Sequence, residues 1–350
     1  MAATATGIYH RSYRSELALR HTQAEYARLT LAAAVVVAVP FVATPYWQTV
    51  ANQIGIAVVG AIGLNILTGY TGQISLGQGG FLAVGAYTSA ILVERLGAPT
   101  LVGVVAAILM TAAVGAFFGL PALRLKGLYL AIATLASQFI ILYAVRNWEF
   151  VTGGVQALVV GTPALFGFEL NTDFRWYWVI LACAAAATVA GTNLFRTGLG
   201  RAFMAIRDQD IAAEAVGVNT VTYKVLAFAV SSGFVGLAGA LTAHWTTIVT
   251  WERFTLDVSI LYLAMIIVGG LGSVSGSIYG AVFMIVVPAW ITQVAQDLRG
   301  QLSFLARELP AIQLGVFGLI IILFLIFEPR GLARIWHRMK DYVRLWPFRY

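Results

Sequence analysis

Charge is scarce in this chain. Only 11% of its 350 residues are charged, against about 25% in a soluble domain. Hydrophobic residues make up 60%, and the mean hydropathy is +0.84. Such a composition cannot dress a water-facing surface. Cysteine is nearly absent too: the single Cys183 lies in an apolar run, which excludes a disulfide within the chain and any Cys-based zinc site. Lysine occurs three times, as Lys126, Lys224 and Lys340, and none follows a glycine. A Walker A loop needs Gly-Lys, so this chain cannot cradle ATP phosphates in that way. H-E-x-x-H and G-x-S-x-G are missing as well. The four histidines (His10, His21, His244 and His337) are scattered. Only His244 falls in an apolar run, near its end, and reads as an interfacial histidine. No catalytic residue, metal ligand or cofactor is expected, and enzyme classes lose their support.

What the chain has is apolar length. Runs bounded by charges or by Pro/Gly clusters lie near 29–45, 50–69, 80–96, 100–121, 127–146, 175–195, 222–249, 257–270, 276–293 and 309–327. A helix crosses the roughly 30 Å hydrocarbon core in about 20 such residues. The expectation is an all-α polytopic membrane protein of about ten spans over 29–327, with a polar segment at 1–28 and a basic tail at 328–350. Basic residues orient it. Placing the N-terminus in the cytoplasm puts sixteen of the 22 Lys and Arg on the inner side: four before Leu29, Arg124 and Lys126, four over 196–224, and six in the tail. Acidic residues divide almost evenly, as the positive-inside rule allows. This bias accounts for the net charge of +7 without nucleic acid. Both termini are then cytoplasmic, and 147–174 is the longest external loop. The tail "EPRGLARIWHRMKDYVRLWPFRY" alternates basic and aromatic residues and reads as an amphipathic anchor on lipid. The segment "HRSYRSELALRHTQAEYARL" reads as a short surface helix of the same kind.

Mid-depth charge is almost missing. Glu94 and Arg95 fall at one end of a run and Asp257 at the start of another, so no coupling ion has an obvious seat. Uphill movement would draw its energy from a partner. Irregular backbone survives at membrane depth only where protein buries it or where it lines a wet cavity. Two uncharged glycine-rich stretches meet that description: "GYTGQISLGQGGFLAVGAY" at 69–87 and "GGLGSVSG" at 269–276. Paired interruptions in a transporter point to its path, although small residues also serve plain helix packing. Amides are not needed for packing. The candidate path residues are therefore Gln73, Ser75 and Gln78, with Gly72, Gly77, Gly79, Gly270, Gly272 and Ser273 beside them.

The inner loop 196–221 contains "GLGRAFMAIRDQDIAAEAVGVN", an amphipathic arrangement carrying both signs of charge. A helix of about two turns is expected to start near Gln209, with Asp208 and Asp210 satisfying its free N–H groups and Gly217 ending it. It reads either as a connecting helix on the membrane or as a docking element for a cytoplasmic subunit.

Together with "LPALRLKGLYLAIATLA" at 120–136, "EAVGVN" at 214–219, "IIVGGLGSVSGSIYGAV" at 266–282 and "FEPRGL" at 327–332, the glycine-rich stretch resembles the LivM-type permeases of branched-chain amino acid ABC transporters, over roughly residues 50 to 332. The resemblance implies a type II importer-like fold of about ten helices. It also implies a second, LivH-like permease, two LivG/LivF-like ATPase subunits that bind ATP and Mg, and an extracytoplasmic solute-binding protein. The "EAVGVN" loop would be the coupling helix, with Arg201, Arg207, Asp208, Glu214, Gly217 and Asn219 transmitting ATP-driven closure. Branched-chain amino acids lead as substrates, with urea or amides as the alternative within the same class. A channel or facilitator working alone is the competing reading.

Overall fold

The computed structural model describes residues 23–161, 163–165, 168–297, 315–316, 318–324, 326–328 and 331–345. The proposed N-terminal surface helix therefore lies mostly outside the described residues, as do parts of the 309–327 run and the end of the tail. Helix α1 (Gln23–Val42) begins before the expected apolar boundary at Leu29. Then come α2 (Pro45–Asn65), α3 (Gln78–Leu96), α4 (Thr100–Gly119), α5 (Leu128–Asn147) and α6 (Asp173–Arg196). The loop helices are α7 (Gly198–Asp208) and α8 (Asp210–Ala215). After them stand α9 (Thr220–Thr246), α10 (Leu256–Gly269) and α11 (Val274–Asp297). Residues 318–324 are helical, and α12 (Gly331–Leu345) closes the chain.

Six of the described helices are long and apolar enough to cross a membrane: α2 with its extension to Tyr70, α4, α5, α6, α9, and α11 over Val274–Val294. The expected ten are not reached by this measure. Helix α3 has nineteen residues but carries Gln78 and Ser89 in its buried face and Glu94–Arg95 at its end. Helix α10 has 14 residues, about 21 Å at 1.5 Å per residue. The apolar part of α1 is only Thr30–Val42.

The core runs along α2 and α9. Helix α2 packs against α6, α9, α10 and α11, and α9 packs against α2, α3 and α4. Small residues let these backbones close in, the packing mode of helices that gain no hydrophobic advantage from one another in lipid. A methyl group at Gly85 of α3 would meet the main chain of Gly236 in α9, and one at Gly236 would meet Thr111 of α4. Outward faces stay apolar, with Leu101, Val105, Leu109 and Phe117 of α4 exposed. That is the arrangement lipid demands.

The described residues of the external-loop candidate 147–174 include regular structure. Strand β1 (Leu158–Val159) pairs antiparallel with β4 (Ile248–Val249), and β2 (Ala164–Leu165) pairs with β3 (Phe168–Glu169). Arg146 stacks over the Trp251 ring, 5.1 Å from its centroid, and Arg95 donates to the Phe150 carbonyl at 2.5 Å. These contacts fix the β end of the bundle, opposite the end that carries α7 and α8. His244 is not interfacial as expected. It is buried, with its Nε2 2.7 Å from Ser89 Oγ, because α3 and α9 close over it.

Candidate functional site

A cleft of about 590 Å³ opens between α2, α9, α10 and α11 and the 3-10 turn Trp251–Phe254. Its wall is mixed in a useful way. Ile56, Leu82, Met265 and Ile285 offer aliphatic surface, whereas Thr49, Gln53, Thr242 and Trp245 bring hydrogen-bonding groups. Arg253 contributes a guanidinium that has no salt bridge among the described residues. Ligand sites are typically such apolar concavities with a few placed polar groups. Asp173, at the first turn of α6, fastens one side of the cleft. Its carboxylate accepts from Thr49 Oγ1 at 2.5 Å and from Trp245 Nε1 at 2.9 Å, and its carbonyl accepts from Asn52 Nδ2 at 3.1 Å. None of these residues stands out in the sequence. Threonine, tryptophan and arginine at the ends of apolar runs look like ordinary interfacial residues until the helices are assembled.

At the α7–α8 end the two glycine-rich stretches meet each other. Helix α2 does not stop at Asn65 but widens into a π-helical turn, Ile66–Tyr70. The Asn65 side chain donates to the Ser273 carbonyl at 2.8 Å and to Ser277 Oγ at 2.7 Å, and it accepts from the Gly272 N–H at 2.9 Å. A methyl group on Gly69 would collide with Asn65 Oδ1 and with the Gly272 nitrogen, so only glycine lets the segments touch. Gly272 itself needs φ +73°, a left-handed conformation that glycine adopts at little cost. Arg207 of α7 lies against both stretches: a methyl at Gly72 would sit 3.3 Å from its Cγ, and one at Gly272 2.6 Å from its Nη1. Asn65 is the residue sequence reasoning passed over. Its signal was faint, an asparagine inside an apolar run just before the glycines.

The remaining path candidates have separate places. Ser75 Oγ accepts from the Gly77 N–H at 3.3 Å, and Gln78 Nε2 donates to the Gly60 carbonyl at 3.0 Å. The Gly79 N–H donates to Ser259 Oγ at 2.7 Å, which leaves no room for a side chain beside the Phe254 carbonyl. Gly270, at φ +126°, abuts Gly331 at the start of α12. Ser273 Oγ caps the next turn, accepting from the Gly276 N–H at 3.1 Å. Gln73 and Gly72 line a smaller pocket of about 280 Å³ beside α7 and α8; the others line neither that pocket nor the cleft.

The inner loop holds two helices where one was expected. Thr197 caps α7, accepting from the Gly200 N–H at 3.5 Å. Phe203 and Ile206 of α7 are buried beneath it. Helix α8 spans six residues, and its cap at Gln209 has no side-chain hydrogen bond, so Asp208 and Asp210 do not cap it as anticipated. Asp210 is drawn elsewhere, to Lys126 Nζ at 2.8 Å and Lys224 Nζ at 2.7 Å, because ammonium groups hold a carboxylate more strongly than a neutral N–H does. Burial alone would push the Asp210 carboxyl up. The hydrogen bonds and charges of the two lysines outweigh it and hold it below the usual carboxylate range. Gly217 ends the helix in the left-handed region at φ +90°, as expected. Asn219 Oδ1 caps α9 by accepting from the Thr222 N–H at 3.1 Å. Arg201 reaches the Arg196 carbonyl at 3.2 Å on the exposed side, and Glu214 points to solvent. Next to Glu214 the α8 tip leaves Ile211 72% and Val216 79% exposed.

The family of branched-chain amino acid transport system permease components matches residues 46–325. The chain is 31% identical to the high-affinity branched-chain amino acid transport system permease protein LivM of Escherichia coli K12 over 331 residues, covering 87% of this chain and 74% of that protein. The LivM protein of Salmonella typhimurium LT2 matches to the same extent. A probable LivH permease of Methanocaldococcus jannaschii is 27% identical over 299 residues, covering 80% of this chain and 89% of its own. No solved structure matches. With six described helices long and apolar enough to cross a membrane, a mixed polar and apolar cleft and a family match across most of its length, this chain belongs to the branched-chain amino acid transport system permease components.

Proposed function

We propose that this permease is one membrane subunit of an ATP-driven importer that moves branched-chain amino acids into the cytoplasm through the cleft between α2, α9, α10 and α11. The α7–α8 end faces the cytoplasm on this reading, in keeping with the excess of Lys and Arg there. The short α3 and α10, the apolar part of α1 and the partly described 309–327 run then complete about ten spans in a type II importer-like arrangement. The aliphatic wall of the cleft suits a branched side chain, and Arg253 suits a carboxylate. ATP and Mg bind on two partner ATPases, a second permease completes the channel, and a solute-binding protein delivers the amino acid to the β end.

The observation that carries this reading is the position of Arg207. It lies against Gly72, just after the π-turn of α2, and against Gly272, between α10 and α11. A shift of α7 therefore reaches both walls of the cleft through the Asn65 junction. The exposed Ile211 and Val216, with Glu214 beside them, give an ATPase an apolar tip and a charge to grip. Gln73, Ser75, Gln78 and the glycines act in this scheme as the deformable inner end of the path. Gly217 and Asn219 fix where α8 stops and α9 starts, and Arg201 and Asp208 frame α7.

The test is uptake of labelled leucine by proteoliposomes holding the full complex. Uptake should need the binding protein and hydrolysable ATP, and replacing Ile211 and Val216 with serine should abolish it while ATP hydrolysis by the free ATPases persists. Uptake by this chain alone, indifferent to ATP, would instead establish a facilitator.

A further inference from the structure

Helix α1 stands off from the bundle. Among the described helices none packs closely along it, and its ties to α6 lie in its C-terminal half. Tyr177 Oη donates to the Val36 carbonyl at 2.7 Å, and the Phe41 ring meets those of Phe174 and Trp178. Two apolar spaces adjoin α1. One, of about 420 Å³, is a groove between α1, α2, α6 and α11, walled by side chains such as Val39, Ile54, Val58, Ile180 and Val282. It follows α6 from Tyr177 to Thr188, about 16 Å at 1.5 Å per residue, close to half of the roughly 30 Å hydrocarbon core. The other, of about 590 Å³, lies between Leu31, Ala32 and Val35 of α1 and Trp336, Met339 and Lys340 of α12. Val36 borders both, so they form one seam.

Protein interiors rarely leave apolar gaps of this size, and the bilayer core holds no water to fill them. Leu31, Val35, Trp336 and Met339 are half or more exposed, so the seam is open to lipid. Its α12 end is cationic. Residues 328–350 hold six basic side chains against the two acids Glu328 and Asp341, and Glu328 is paired with Arg338 at 3.0 Å. Helix α12 is also fixed in place: Gly331 abuts Gly270, and the Trp336 ring lies 6.4 Å from that of Tyr279 in α11. A fixed ammonium at the mouth of an apolar seam matches an amphiphile with a negative head.

We propose that this seam binds one anionic phospholipid, its phosphate at Lys340 and one acyl chain running past Met339 and Val36 into the groove along α6. Basic residues near the surface attract anionic lipid at short range, which selects a phosphatidylglycerol head over phosphatidylcholine. On the proposed orientation, and resting on that reading, the lipid comes from the inner leaflet.

The test uses the full chain in phosphatidylcholine nanodiscs doped with phosphatidylglycerol that carries a diazirine at the end of one acyl chain. It needs no ATP, partner or transport, so its result is separate from that of the importer reading. Illumination should label α6 between Tyr177 and Thr188, and a phosphatidylcholine probe with the same chain should label it severalfold less. Lys340→Gln should weaken phosphatidylglycerol labelling about fivefold, the share of one basic residue at an anionic surface, and Lys340→Arg should retain it. Val36→Phe narrows the neck between the two spaces, and Val36 is 38% exposed, so the larger ring leaves the fold intact. Labelling of α6 should then be lost while labelling of Met339 persists, with the melting temperature unchanged. Equal labelling by both probes, or Lys340→Gln and Lys340→Arg behaving alike, would leave only ordinary boundary lipid and overturn the site. Labelling of α6 that survives Val36→Phe would separate the two spaces and overturn the path. Labelling of the lone chain that vanishes when the second permease is added would make the seam a subunit interface, which overturns the proposal as well.

Discussion

Replacing Asn65 by alanine tests the junction on which the coupling argument rests. The side chain makes three hydrogen bonds, two as donor and one as acceptor, and all reach residues more than 200 positions away in sequence. Each such bond contributes about 0.5–1.5 kcal/mol net, and in membrane bundles the average is nearer 0.6. Ser277 Oγ already lies 3.4 Å from the Ser273 carbonyl and can take over that acceptor in part. The part-buried Gly272 N–H has no such substitute among the described hydrogen bonds. Asn65→Ala should therefore cost about 2–3 kcal/mol, measured by reversible unfolding of the full chain in bicelles. Asn65→Asp keeps an acceptor for Gly272 but turns a carboxylate oxygen toward the Ser273 carbonyl, so it should be no milder. A loss below about 0.5 kcal/mol for alanine, or near-native stability for aspartate, would refute the view that Asn65 ties the two glycine segments together.

Gly69→Ala should destabilise at least as much as Asn65→Ala, because the added methyl meets Asn65 Oδ1 and the Gly272 nitrogen, and the same unfolding assay reads it. Arg253→Gln should raise the KM for leucine uptake in the reconstituted complex about tenfold or more while leaving the melting temperature unchanged, since Arg253 has no ion pair to lose among the described residues. Asp210→Asn should destabilise the α8 anchor, because Lys224 is 7% exposed and loses its only salt-bridge partner among the described residues. The folded Asp210 carboxyl lies below its unfolded value of about 3.9, so this contribution is present in full above about pH 5 and is lost as pH falls below about 4. Unfolding of the native chain and the Asn variant should therefore differ at neutral pH and converge in acid; a difference that grew on acidification would contradict the assignment.

Much of this protein can be read along the chain, because the signals concerned are local. Apolar run length sets where helices can form, and each expected run over 50–293 contains one. Gly217 marks the end of α8 because a left-handed residue there favours glycine whatever surrounds it. The scarcity of mid-depth charge and the missing Gly-Lys are read directly from the chain in the same way. The order of separated glycine and "EAVGVN" motifs is also a one-dimensional property, and it was enough to point to the family.

What the sequence left open depends on distances through space. Whether Asp210 caps a helix or holds two lysines was decided by α5 and α9 bringing Lys126 and Lys224 to it, from 84 and 14 residues away. The same Gln-rich segment put Gln78 against the Gly60 carbonyl and left Gln73 unpaired, because only the fold determines which amide finds a main-chain partner. The cleft exists only once α2, α9, α10 and α11 are assembled, and no single run carries its mixed lining. Sequence alone determined the solvent in which this chain lives and the places where its backbone is irregular. Tertiary structure decided that the irregular places meet at Asn65 under Arg207, since hydrogen bonds and steric contacts act over a few ångströms and carry no mark at the sequence separations they bridge.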